Sequence, residues 1–204
     1  QGSFREAVEA FTHAQRIADH GLQVADLLAF SSAVSSSGGD GWDLRAAAFE
    51  KALEAGDVDV SRDIALHDAL QTEDVNGQPR RIKMLEQIDV DQLSDARQAE
   101  HASALARELG LLGLHERAIA TAITAADRAT TPDHRFVAWL GAWVSYKSLP
   151  PGQWPALPHD RDQVSTPELV SRLAQVEFGL ALTVGDDTSA RRHLRQFSEH
   201  RSTL

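Results

Sequence analysis

A turn signal returns in this chain about every 37 residues, and that period constrains the fold more than any single motif. With the turns as markers, units begin near residues 2, 40, 77, 113, about 148 and 185, an interval of 35 to 38 residues. Strand signals are nearly absent between the turns. Ala, Leu, Glu, Arg and Gln dominate instead, with apolar positions three and four apart, the spacing of one helix face. In "ARELGLLGLHERAIATAITAADRATTP" (106–132), Gly113 stops one helix, and Ala118-Ile119, Ala122 and Ala125 share a face of the next. The same face recurs as Ala7-Val8, Phe11 and Ala14 (4–20), Trp42, Phe49 and Ala52 (41–57), and Ala190, Leu194 and Phe197 (185–200). A weaker copy at 77–88 holds Gly77, Ile82 and Ile88.

Local punctuation agrees. Gly56 in "LEAGDVD" sits past a helix end, Pro132 in "TTPDHRF" breaks and restarts a helix, and "STPELV" (165–170) carries Ser165, Thr166, Pro167 and Glu168 in a capping-box pattern. About eleven helices follow, in six hairpin units of which the first is entered at its second helix. One hairpin cannot bury its apolar face without neighbours, so the expected fold is all-α, a right-handed α-solenoid of antiparallel helix hairpins.

At 204 residues the chain can bury a sizeable core. Gln1-Gly2-Ser3 reads as the scar of an expression tag, leaving residues 4–204 as a single helical-repeat domain and as a candidate fragment of a longer protein. No apolar run suits a membrane span, and no signal segment opens the chain. The net charge of −10 repels phosphate backbones, so no nucleic-acid partner is expected through this segment. The locally basic "ARRHLRQFSEHR" (190–201) reads as a solvated helix end. Cysteine is absent, which removes disulfides and thiolate chemistry and fits a cytoplasmic location.

"LLGLHERAIATAITAADRATTP" resembles the second half of a tetratricopeptide repeat, with Gly113 at the inter-helix turn followed by Ala118, Ala122 and Ala125. Ala102, Leu105, Ala106 and Leu109 stand where that family packs its first helix, and Phe4, Ala7, Phe11 and Ala14 match as well. "WLGAW" (139–143) is similar to the family's first-helix Trp-Leu-Gly, with the tryptophan displaced. The period exceeds the family's roughly 34 residues, the terminal proline is missing or shifted in most units, and the 59–97 unit is degenerate. The resemblance implies a concave groove lined by first helices, here His67, Gln71, Ser103, Arg107 and Arg135, with Ala138 and Ala142 following. The family's carboxylate clamp needs several Lys and Asn residues there. Only Arg107 and Arg135 are basic, so no such clamp is implied.

No catalytic, cofactor or metal site emerges from the residues. His13/His20 and His193/His200 are seven apart, which cannot close on one ion without a third element. The carboxylates in "GDDTS" (185–189), "PHDRD" (158–162) and "VDVSRD" (58–63) sit at helix starts, where Asp caps exposed N–H groups. "SSSGGDGW" (35–42) lacks the Lys-Ser/Thr of a phosphate loop. The aromatic residues concentrate in one place. Phe136, Trp139, Trp143 and Tyr146 form one helical stripe, followed by the Pro-rich 148–165 segment with Trp154. The stripe is core clamped by Trp154, or else Trp139, Trp143, Tyr146 and Trp154 anchor a partner.

The leading expectation is a non-enzymatic scaffold that binds a peptide or protein partner in its groove. The alternatives are a sensor or regulatory arm of a larger transcriptional regulator or signalling protein, and a small-molecule binder or enzyme with a pocket under 148–162.

Overall fold

Three glycines with left-handed backbone mark where helices turn back: Gly56 (φ 71°), Gly113 (φ 83°) and Gly185 (φ 75°). A Cβ there would crowd the following carbonyl, so glycine is the residue that fits. Each closes its helix with the same two backbone hydrogen bonds. Gly113 N–H donates to the Gly110 carbonyl at 3.1 Å, and Leu114 N–H to the Leu109 carbonyl at 2.9 Å. Gly56 with Asp57, and Gly185 with Asp186, repeat the pattern.

The computed structural model describes residues 22–36, 39, 41–71, 77–146, 148–150, 154 and 156–201, with Glu6, Glu9 and His13. The helix expected at 4–20 therefore lies largely outside the described residues, as do 1–3. Among the described residues the chain is all-helical, with no strand. The helices are α1 (Val24–Ser36), α2 (Trp42–Glu54), α3 (Val58–Gln71), α4 (Gln78–Glu86), α5 (Asp95–Leu111), α6 (His115–Arg128), α7 (Pro132–Leu140), α8 (Trp143–Tyr146), α9 (Pro167–Thr183) and α10 (Asp187–Arg201). Helices α1, α3, α5, α7 and α9 start at steps of 34, 37, 37 and 35 residues, close to the turn interval of the sequence. Helices α2, α4, α6 and α10 follow them. Where another such helix would follow α8, the described part of the Pro-rich segment holds only the short 3-10 turn Arg161–Gln163.

The chain divides into two compact units, Gln1–Thr72 with Lys83–Gln92, and Glu73–Ile82 with Leu93–Leu204. In the first unit α2 packs on both α1 and α3. Its buried side chains include Leu27 and Phe30 of α1, Phe49 and Ala52 of α2, and Ile64 and Ala65 of α3. In the second unit α5 packs on α6, both pack on α7, and α9 pairs with α10. The buried stripe of α6 is Ala118, Ala122 and Ala126, and the expected Ala125 lies half-buried beside it. Leu194 of α10, expected on a packed face, is 46% exposed because it falls on the side left open.

Residues 136–146 form two helices where the sequence suggests one. Gly141 and Ala142 N–H groups donate three residues back, to Ala138 and Trp139 carbonyls at 3.2 and 3.1 Å, which tightens the turn between α7 and α8. The tight turn lets the backbone touch α5. A Cβ on Gly141 would lie 2.5 Å from the Ser103 carbonyl oxygen and 2.9 Å from Ala106 Cβ.

Candidate functional site

In the first unit a pocket of about 270 Å³ opens between α1, α2 and α3. Its construction is local in origin. Asp57 caps α3 by accepting the Val60 N–H at 3.1 Å, and Ser61 donates its hydroxyl to the Asp57 carbonyl at 2.8 Å. From that start Val60, Asp63, Ile64 and His67, at i, i+3, i+4 and i+7, form one stripe along the pocket. Leu28 and Ser32, one turn apart on α1, line it as well, and Arg45 of α2 completes it. Arg45 is held against α1, where its Nη1 donates to the Ser31 hydroxyl at 2.8 Å and to Ser35 at 3.4 Å. Ser31 in turn donates to the Gly41 carbonyl at 2.9 Å. Asp63 accepts from Arg62 at 2.7 Å, yet its side chain stays 56% exposed.

The aromatic stripe in the second unit is mostly interior. Trp139 and Tyr146 are each 1% exposed and their rings lie 5.0 Å apart, while Phe136 stacks on Trp139 at 6.2 Å. Trp143 is half-buried and meets α9, whose Gly179 would place a Cβ 3.2 Å from the ring. Burial pushes the Tyr146 hydroxyl above its ordinary pKa. The described residues of 148–166 are fastened to this cluster. Trp139 Nε1 donates to the Ala156 carbonyl at 3.0 Å, Trp154 Nε1 donates to the Leu149 carbonyl at 3.0 Å, and Trp154 lies beside Tyr146. Arg161 pairs with Glu177 of α9 at 3.2 Å.

Arg135 is a tie as well. Its Nε and Nη2 donate to the Ala126 and Ala129 carbonyls at the end of α6, at 3.1 and 2.7 Å, and its Nη1 pairs with Asp160. Expected as a groove residue, it faces the end of its neighbouring helix, where a cation meets the negative end of the dipole. Ser103 meets the Gly141 backbone. Arg107 is half-buried, and His67 is exposed at the pocket in the first unit. The Gln71 side chain lies outside the described residues. The expected groove residues thus fall in both units, and among those whose side chains are described only His67 lines the pocket.

Two further arrangements join residues far apart in sequence. Asp95, in the first turn of α5, accepts from the Thr130 N–H and hydroxyl, the latter at 2.6 Å, and lies 2.7 Å from His134 Nδ1. Asp133, in the first turn of α7, accepts from the Ser165 N–H at 2.8 Å, the Thr166 N–H at 3.1 Å and both hydroxyls. Ser165 and Thr166 therefore serve a carboxylate on another helix, and Thr166 makes no side-chain cap to α9, in contrast to the capping box expected there. The Thr130 hydroxyl holds the Asp95 carboxyl below the usual carboxylate range, against the upward pull of burial. At Asp133 burial pulls upward, and the bonds from Thr166 and Ser165 outweigh it, so this carboxyl also lies below its ordinary value. Deeper in the same unit, Arg81 Nε donates to Glu108 Oε2 at 3.0 Å, with the two side chains 2% and 1% exposed.

The other carboxylates read as caps divide. Asp186 accepts the Ser189 N–H at 3.0 Å at the start of α10, whereas Asp160 is engaged by Arg135. Among the described residues no three His, Asp or Glu side chains converge on a metal position. No helix among them is long and apolar enough to cross a membrane. Comparison with known proteins returns no matching family model, curated protein or solved structure.

Proposed function

We propose that this chain is a tetratricopeptide-like helical-repeat module that binds a peptide or protein partner, without catalysis of its own. The observation that carries the reading is the repeated tie at the helix starts of the second unit. Asp95 reaches the turn ahead of α7, 35 residues on, and Asp133 reaches the turn ahead of α9, 32 and 33 residues on. Each tie joins the start of one hairpin's first helix to the start of the next, which is the relation a stacked α-solenoid requires. The close approach of α7 and α8 to α5 through Gly141 and Ala106 supports the same stacking. Such arrays work by presenting helix faces to extended or helical ligands. The α1–α3 pocket, an apolar floor with polar groups at its rim, has the make-up of a binding site and lies on the stripe that holds His67.

Selection of a random peptide library displayed on phage against the immobilised chain tests the module. The expected result is enrichment of peptides that compete with one another for a shared site. Rounds of selection that enrich nothing above an unrelated helical control would overturn the reading.

A further inference from the structure

We propose that the α1–α3 pocket receives an aliphatic side chain from a peptide in which a lysine or arginine stands beside it. The inference rests on the interaction-module reading and names the chemistry of its ligand.

The floor sets the apolar half of the requirement. Leu28, Val60 and Ile64 form it, from two helices that each present a stripe of residues three or four apart. At about 270 Å³ the space falls below the roughly 300–1,000 Å³ typical of pockets for whole small-molecule ligands. It suits one anchoring side chain of a longer ligand. A buried apolar anchor ringed by polar groups is also how short interface segments obtain most of their affinity.

The rim sets the charged half. Asp63 keeps its carboxylate largely in solvent at the pocket edge, and His67 follows one turn on. Arg45, the cation of the rim, is directed to the serine hydroxyls of α1. Over α1, α2 and α3 the sequence carries seven carboxylates against three arginine or lysine side chains. A surface of that balance attracts cationic segments and repels acidic ones, so charge selects among the many peptides that own an aliphatic residue.

Three fluorescein-labelled ten-residue peptides separate the two halves: alternating Leu-Lys, alternating Leu-Glu and alternating Gly-Lys, measured by fluorescence anisotropy at physiological salt. The Leu-Lys peptide is expected to bind at least tenfold more tightly than either of the others. Two variants at exposed positions, Ser32→Trp to obstruct the mouth and Asp63→Asn to remove the rim charge while leaving Arg62 an acceptor, are expected to weaken Leu-Lys binding at least tenfold and at least threefold respectively, while circular dichroism stays that of the wild type. Equal binding of Gly-Lys and Leu-Lys to the wild-type chain would overturn the pocket as anchor, and that comparison needs no variant. Unchanged Leu-Lys binding in both variants would place the ligand elsewhere and overturn it too. If Leu-Lys fails but the phage selection enriches peptides of other composition, this ligand chemistry falls and the module stands. If the selection also enriches nothing, both fall.

Discussion

Replacing Glu108 by Leu should destabilise the second unit more than almost any other single change, and the reason lies in what is left behind. Glu108 and Arg81 are 1% and 2% exposed, with Nε and Oε2 3.0 Å apart. Removing Arg81 strands the Glu108 carboxylate away from water, and breaking so deeply buried a pair from either side costs about 3–5 kcal/mol. In a unit of about 120 residues, each kcal/mol corresponds to about 3–5 °C in the unfolding midpoint, so Glu108→Leu should lower it by about 10–20 °C. Arg81→Met should cost a similar amount. The double variant Arg81→Met/Glu108→Leu should recover most of the loss, because neither charge then needs a partner and the replacements have comparable volume. Urea and thermal unfolding followed by circular dichroism give all four corners of the cycle. A coupling of about 2 kcal/mol or more is expected between the two positions. Single variants that cost less than about 1 kcal/mol, or a double variant whose loss equals the sum of the singles, would refute the argument that stranded charge dominates.

Gly141→Val should destabilise the second unit by about 2–3 kcal/mol or more, since even a Cβ would meet the Ser103 carbonyl at 2.5 Å; a urea midpoint within error of wild type would contradict that packing. Stability should fall with acid as Asp95 and Asp133 protonate. Both carboxyls sit below their ordinary values in the folded chain, so the unfolded chain takes up its protons first, and their contribution, complete above about pH 4, is lost as pH drops through the folded values. Asp133→Asn should therefore lower stability at pH 7 and flatten the acid limb of a stability–pH profile, and an unchanged limb would speak against the tie. Trp139→Phe removes the donor to the Ala156 carbonyl and should cost about 1–2 kcal/mol. It should also hasten limited proteolysis between residues 148 and 163, and wild-type cleavage rates would show that this bond does not hold the segment.

What the residues made legible follows from the range of the interactions involved. The helices and their period were readable because 3.6-residue spacing, left-handed glycines such as Gly113 and Gly185, and a cap such as Asp186 act within a few positions of themselves. The interior fate of Phe136, Trp139 and Tyr146 matched one of the two readings of an aromatic stripe, because large apolar rings at helical spacing gain most by facing each other. Arg135 carried no such signal. Its sequence position marks a first helix, but the rotation of α7 against α6 decides whether the guanidinium meets a ligand or the carbonyls of Ala126 and Ala129.

The sequence by itself determined an all-helical chain, the places where its helices stop, and the near-regular interval between them. Only the tertiary structure decided that Glu108 meets Arg81 across 27 residues, that Asp133 draws Ser165 and Thr166 away from their own helix, and that Leu28 and Ile64 share a pocket. Helix formation is driven by neighbours along the chain. Which faces then meet depends on the approach of distant backbones, set here by contacts as specific as the one Gly141 leaves open to Ser103.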